Sequence, residues 1–243
     1  MDSKKILITI PAYNEVGNVG RTVQEIISSS ISVDILVVDD GSSDATAHEA
    51  RQTPALVASL PFNLGIGGAV QTGFRYALQE GYPYVVQMDG DGQHDTAYLK
   101  ELLAPVFQGE ADMTIGSRFI GPFLGYRSSF VRRIGINFFA HLISFLTGYS
   151  ITDPTSGFRA YNTRAIKIFA ENYPYDFPEP EAIVVAQRAG LRIKEVPVQM
   201  RKRTIGVSSI RYMKTLYYMI KVTVAILLDM VKCKSPAKAG QDC

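Results

Sequence analysis

Tryptophan is absent from the 243-residue chain, so it has no indole stacking platform and no indole anchor for a bilayer interface. Cysteine is scarce: Cys233 and Cys243 both lie near the C-terminus. They build no disulfide framework and suit a reducing compartment. His48, His94 and His141 show no metal-ligand spacing, and His94 reads as a packing or solvent-facing residue. The charge is nearly balanced, and a formal net charge of +2 does not point to nucleic acid. Ile134–Leu146 is apolar but too short to cross a bilayer. No secretory apolar region with a cleavage site follows Met1, so a cytosolic active face is expected. Solenoid repeats and low-complexity blocks are also missing.

The 47% hydrophobic and 20% charged fractions are those of a globular protein. The length suits one large α/β domain, or one domain with a small appendage. Apolar strand-like runs alternate with helical patterns through the first half. Strands are predicted at Ile6–Ile10, Ile35–Val38, Leu56–Leu60, Tyr84–Met88 and Met113–Ile115. Helices are predicted at Val19–Ser29, Ser43–Arg51, Gly68–Gln79 and Thr96–Phe107. Such alternation argues for a mostly parallel sheet with helices on both faces. The second half is less regular. Tyr173–Pro180 reads as a loop, Glu181–Arg188 as a helix and Leu191–Val196 as a strand.

Ligands of parallel α/β sheets bind at the carboxyl ends of strands. Pro11–Glu15, Asp39–Ser43 and Asp89–Gln93 all fall at such ends. Asp89, Asp91 and Gln93 place two carboxylates and an amide oxygen on a glycine-loosened turn. Hard oxygen donors on a sparse site suit Mg²⁺ or Mn²⁺ shared with substrate phosphates. The plainer reading is a polar turn chosen for its backbone. Asp39 and Asp40 are adjacent like charges, which cost energy without partners. Their carboxylates can accept bonds from a base N–H and ribose hydroxyls.

Asn63-Leu-Gly65-Ile-Gly67 lies between a strand and a helix and invites a dinucleotide-binding reading. That fingerprint fails at its third position, where Val70 stands, so a sugar-nucleotide site ranks above it. Asp153–Arg159 combines an acid, hydroxyls, a tight turn and a guanidinium. Arg201–Ser209 is a basic, glycine-hinged stretch that can fold over a diphosphate. Arg118, Arg127, Arg132 and Arg133 form a second basic set beside an apolar surface. Between Arg211 and Lys232 the charges keep to one stripe less than about 90° wide on a helix. An interfacial helix lying on a bilayer fits that pattern, and a core or dimer helix in a homo-oligomer is the rival. The expected division is therefore a catalytic domain over 1–209, an amphipathic helix over 210–233 and a frayed tail over 234–243.

Taken in order, these segments resemble the family 2 glycosyltransferases with the glycosyltransferase-A fold. The likeness is closest to the polyprenyl-phosphate group that includes dolichyl-phosphate mannosyltransferase. The carriers are Pro11–Glu15, Val38–Ser42, Asn63–Gly65, Asp89–Gln93, Asp153–Arg159 and Arg203–Ser208. The resemblance implies that Pro11, Ala12, Tyr13, Glu15, Asp39 and Asp40 line the nucleoside site, with Asn63 and Gly65 beside them. It implies that Asp89 contacts the nucleotide while Asp91 and Gln93 hold the metal. It implies that Arg118, Arg133 and Asn137 lie near a lipid phosphate, and that Arg203 and Ser208 close over the diphosphate. Asp91, Arg203, Asp153 and Glu181 are the candidate catalytic residues.

Phe177-Pro-Glu179-Pro-Glu181 departs from the dolichyl-phosphate pattern and resembles a bacterial branch concerned with envelope polysaccharide. The expected activity is inverting transfer from UDP-glucose or UDP-N-acetylglucosamine to undecaprenyl phosphate, on the cytoplasmic face of the membrane. A saccharide hydroxyl acceptor, with Glu179 or Glu181 as base, is one alternative. A non-catalytic sugar-nucleotide scaffold is the other.

Overall fold

The fold was obtained as a computed structural model, and it describes residues 5–121, 130–175 and 178–201, together with Lys221, Thr223 and Val224. The strands are β1 (Ile6–Ala12), β2 (Asp34–Asp39), β3 (Leu56–Ser59), β4 (Tyr84–Gln87), β5 (Met113–Ser117), β6 (Arg159–Asn162) and β7 (Ile193–Pro197). They form one sheet in the order β3-β2-β1-β4-β6-β5-β7. β1 pairs in parallel with both β2 and β4, and β5 pairs in parallel with β7. β6 alone runs antiparallel, between β4 and β5.

Seven α-helices are described: α1 (Val19–Ile27), α2 (Thr46–Arg51), α3 (Gly65–Gln79), α4 (Leu99–Phe107), α5 (Phe130–Thr147), α6 (Thr163–Glu171) and α7 (Pro178–Arg188). They cover both faces of the sheet, because successive strand residues point to opposite sides. Leu7, Leu36, Val38, Val85 and Tyr161 pack with residues of α3, α5, α6 and α7 in one core. Ile8, Ile10, Ile35, Val37 and Val86 pack with residues of α1, α2 and α4 in the other. Strands buried on both faces read as unbroken apolar runs, which is why β1 and β2 are legible in the sequence.

The second half holds two elements that the apolar pattern does not announce. β6 is four residues long and carries the fully buried Arg159, so no apolar run marks it. α6 opens on Asn162, whose side chain accepts from the N–H groups of Arg164 and Ala165. That cap, with Ala165, Ile166 and Phe169 buried at helical spacing, is the signal that could have found it. α7 begins at Pro178, inside the stretch read as a loop, since proline suits the first helical turn.

The topology decides where ligands can sit. β1 and β4 are neighbours whose following connections leave in opposite directions, which is the switch point of an open α/β sheet. Because β6 is reversed, its leading residues 153–158 arrive at the same edge of the sheet as the carboxyl ends of β1, β2, β4, β5 and β7.

Candidate active site

The loops after β1 and β2 are stitched together. Asn14, at φ 54°, donates its N–H to Ser42 Oγ at 3.0 Å and accepts from the Ser43 N–H through Oδ1 at 2.9 Å. The Glu15 N–H donates to Thr46 Oγ1 at 2.7 Å. Pro11 and Ala12 are buried beneath this seam, while the Tyr13 ring is 48% exposed at its lip. An exposed aromatic over a rigid loop is a surface on which a planar base can lie.

Both acids of the Asp39–Asp40 pair find partners. Asp39 Oδ1 accepts from the Ser42 N–H at 3.1 Å. Asp40 Oδ1 accepts from the Leu64 N–H at 2.7 Å, and Asn63 Nδ2 donates to the Asp40 carbonyl at 3.2 Å. Burial raises the Asp40 pKa, the N–H groups of Leu64 and Gly65 oppose the rise, and Asp39 adds to it. The carboxylate of Asp40 thus meets the N-terminus of α3, where a dinucleotide fold would place a pyrophosphate. The glycines there have other reasons. Gly65 has a φ of 80°, and a β-carbon on Gly67 would collide with the backbone of Pro174 and Tyr175.

The Asp89–Gln93 turn follows β4. It is closed by the Gln93 N–H donating to Asp91 Oδ1 at 3.0 Å, with Gly92 at φ 71°. The Asp89 carboxylate lies flat against Gly157, where a β-carbon would stand 2.8 and 2.9 Å from its two oxygens. Gln93 Nε2 donates to the Arg201 carbonyl at 3.3 Å, which leaves its oxygen as the atom a cation would meet. Among the described residues, no group of three His, Cys, Asp or Glu side chains can hold a metal by itself. Two carboxylates and an amide instead fit a hard ion that completes its shell on phosphate oxygens.

His94 does more than the sequence suggested. It is 1% exposed and stacks on Phe158 at 4.9 Å and 16°. Its Nδ1 accepts the Asp89 N–H at 3.1 Å, and its Nε2 stands 3.6 Å from Asp89 Oδ2. Burial pushes its pKa down to about 4, although Asp91 and Asp153 pull the other way.

Asp153 and Arg118 are found paired with each other. Asp153 is fully buried. Arg118 Nε and Nη2 donate to its two oxygens at 2.6 Å each, and the Arg118 N–H adds a bond at 3.1 Å. Glu195 accepts the N–H groups of Thr152 and Asp153, each at 2.8 Å, and fixes the turn from below. Asp153 therefore holds a guanidinium, with both of its carboxylate oxygens committed to Arg118. Arg118 in turn commits Nε and Nη2 to Asp153, and Nη2 also donates to Thr155 Oγ1 at 2.8 Å.

Beneath Asp89 lies a buried polar layer. Arg159 donates to the carbonyls of Ser156, Pro154 and Glu179 at 2.7, 3.0 and 2.8 Å, clamping the turn to the start of α7. Gln87 Oε1 accepts from the hydroxyls of Tyr161 and Tyr173 at 3.1 and 3.3 Å. Arg159 Nη1 and Gln87 Nε2 have no hydrogen-bond partner among the described residues. Glu181 is buried in the first turn of α7. Glu179 is half-buried, and its poorly solvated carboxyl is pushed up to about 7; Arg159 opposes that rise and Asp89 adds to it.

Arg133 and Asn137 are exposed one turn apart on α5. Arg203 and Ser208 lie outside the described residues, as do Arg127 and the side chain of Arg132. Arg201, at the root of the basic stretch, bonds to the Asp89–Gln93 turn. Its N–H donates to the Gln93 carbonyl at 2.8 Å, and its guanidinium pairs with Glu25 at 2.7 Å and Asp95 at 2.9 Å.

Known proteins resemble this chain over most of its length. The family described as Glycosyl transferase family 2 matches residues 7–169. An undecaprenyl-phosphate mannosyltransferase of Micrococcus luteus is 35% identical over 216 residues, covering 84% of this chain and 86% of that protein. A polyprenol monophosphomannose synthase of Mycolicibacterium smegmatis is 33% identical over 219 residues, covering 85% and 81%. Among solved structures, glucosyl-3-phosphoglycerate synthase of Mycobacterium tuberculosis, crystallised with Mn²⁺, UDP and glucosyl-3-phosphoglycerate, superposes with a TM-score of 0.69. At 20% identity, over 93% of this chain and 80% of that one, it shows a shared fold.

The Glu179 carboxyl generates a pH test. Between about 4.5 and about 7 the folded protein keeps a proton that the unfolded chain has released. The folded state then binds more protons, so this group makes stability fall as pH rises through that window. Glu179→Gln is expected to flatten that slope in metal-free denaturant unfolding. An unchanged slope would show the carboxyl to be solvated.

Proposed function

The chain belongs to glycosyl transferase family 2, and on that premise we propose that it moves a sugar from a UDP-linked donor onto a polyprenyl phosphate. Glucose or N-acetylglucosamine is the sugar favoured by the sequence. The observation that carries the reading is the gathering of the loops after β1, β2 and β4 with residues 153–158 at one end of the sheet. It is supported by relatives named for undecaprenyl-phosphate and polyprenol acceptors, which match over more than four-fifths of both chains.

In this reading Pro11, Ala12, Tyr13, Glu15, Asp39 and Asp40 receive the nucleoside, with Asn63 and Gly65 closing its far side. Asp89, Asp91 and Gln93 would hold the Mg²⁺ or Mn²⁺ ion. A divalent ion there supplies Lewis-acid stabilisation of the leaving group. Arg203 and Ser208 close over the diphosphate, and Arg118, Arg133 and Asn137 attract the acceptor phosphate. An acceptor phosphate oxygen attacks the anomeric carbon from the face opposite the diphosphate. One carbon–oxygen bond forms while the bond to the diphosphate breaks, and the electron pair leaves with the diphosphate. The configuration inverts. The phosphate is already ionised near neutral pH, so no side chain need remove a proton.

A second reading draws on Glu179. A carboxyl pushed up to about 7 beside Asp89 is matched to deprotonating a hydroxyl, as an acceptor saccharide would require. The two readings weight residues differently. With a phosphate acceptor, Asp91→Ala loses about 100-fold or more of activity, whereas Glu179→Gln and Glu181→Gln stay within about tenfold.

We place the enzyme peripherally at the cytoplasmic face of a membrane. No helix of the described residues is long and apolar enough to cross one. Residues 1–209 then form the catalytic domain, and 210–233 lie along the bilayer or against a second copy.

The deciding assay incubates the pure protein with UDP-glucose, UDP-N-acetylglucosamine or a nucleotide-linked mannose, together with undecaprenyl phosphate. A glycolipid that requires Asp91 but not Glu179 or Glu181 is expected. Product only on an oligosaccharide, with Glu179 or Glu181 essential, would replace the lipid acceptor by a hydroxyl. Deleting the residues after Ser209 is expected to release the protein from sedimenting vesicles while nucleotide affinity is kept. Unchanged sedimentation would assign 210–233 to a subunit contact.

A further inference from the structure

We propose that His94 is a positioning residue of the donor site: its ring fixes Asp89, and its backbone ties the Asp89–Gln93 turn to the root of the basic segment beginning at Arg201. The inference rests on the reading that Asp89 belongs to the nucleotide-sugar site.

Packing alone does not call for histidine here. A phenylalanine would stack on Phe158 as well and would avoid burying polar nitrogens. What imidazole adds is an acceptor. The last ladder bond of β4 runs from the Met88 N–H to the Thr9 carbonyl at 3.1 Å. The next N–H along the chain, that of Asp89, donates to His94 Nδ1 at 3.1 Å. Because Nδ1 accepts, the ring hydrogen resides on Nε2, which stands 3.6 Å from Asp89 Oδ2. That distance exceeds a hydrogen bond, so it orients the carboxylate electrostatically. One side chain thus holds both ends of Asp89, while Gly157 lies against the carboxylate. The same ring also lies in the field of Asp91, Arg118 and Asp153.

The backbone supplies the second link. His94 forms an antiparallel bridge with Met200. The Arg201 N–H and the Gln93 carbonyl bond next to it, and Gln93 Nε2 returns a bond to the Arg201 carbonyl. Glu25 and Asp95 pin the Arg201 guanidinium to the same edge. Met200 and Arg201 are thereby tied to the turn that carries Asp89 and Asp91.

Two substitutions separate positioning from packing. His94→Phe keeps the stack and removes both nitrogens. His94→Asn loses the stack but places an amide oxygen close to where Nδ1 accepts. Melting temperature and the Mn²⁺-dependent affinity for UDP, read by calorimetry, form the measurement. We expect His94→Phe to melt near the wild type yet bind UDP at least about tenfold more weakly. His94→Asn should melt lower while keeping the greater part of that affinity. Wild-type affinity in His94→Phe, or an affinity in His94→Asn as low as in His94→Phe, overturns the proposal. Should His94→Phe fail to fold, His94→Asn and His94→Ala decide, since both lose the stack and only asparagine supplies the acceptor; equal affinities overturn it. Wild-type affinity in Asp89→Asn would overturn the reading of the site as a whole, whereas its retention in His94→Phe alone removes only the role of His94.

Discussion

The site depends on the contact between the Asp89 carboxylate and Gly157. It exists because β6 runs against β4, which brings residues 153–158 back to the edge where the Asp89–Gln93 turn emerges. Were β6 parallel, that segment would lie at the far end of the sheet. The absent side chain at Gly157 lets the carboxylate settle on backbone, and any β-carbon would push it off. Phe158, next in sequence, then supplies the surface on which His94 stacks. A single reversed strand therefore provides the seat, the support and the clamp for one acid.

Asp39, Asp40, Asp153 and Arg159 each find hydrogen-bond partners at this edge, and each contact does a definite mechanical job. Asp39 closes a turn and Asp40 meets the start of α3, which makes two adjacent acids tolerable. Asp153, without exposure, is neutralised by a two-pronged Arg118. Removing either partner of so buried a pair would leave an uncompensated charge, a cost of about 3–5 kcal/mol. Arg159 is held by backbone carbonyls, which accept its hydrogens without cancelling its charge. That residual positive charge lies close enough to Glu179 to oppose the rise in its pKa. A rigid, preorganised frame of this kind suits the handling of a charged diphosphate, because little rearrangement is needed when charge develops.

The sequence disclosed the parts of the fold where burial is symmetrical. β1, β2 and β4, covered on both faces, read as apolar runs, and the turns at their carboxyl ends were legible as a consequence. β6 escaped notice because a buried arginine interrupts any apolar pattern and four residues are too few to show a period. The roles of Asp153 and His94 were hidden for another reason. Asp153 reads as a free acid until the fold lays Arg118 on it, and His94 reads as filler until the Asp89 N–H is seen to point at Nδ1. Partnerships between residues 35 apart leave no local trace. The glycines in the first turn of α3 mislead in the opposite sense: they look like a phosphate cradle, and Gly67 instead admits the backbone at Pro174 and Tyr175.

The chain is a family 2 glycosyltransferase, and its candidate site turns on how Asp89 is seated. The most direct measurement is electron paramagnetic resonance of Mn²⁺ titrated into the protein with UDP, comparing the wild type with Gly157→Ala. If the seated carboxylate helps to hold the ion against the diphosphate, the wild type retains Mn²⁺ in a UDP-dependent complex and Gly157→Ala weakens that retention by about tenfold or more. Equal retention in the two proteins, with both folded, would contradict the account.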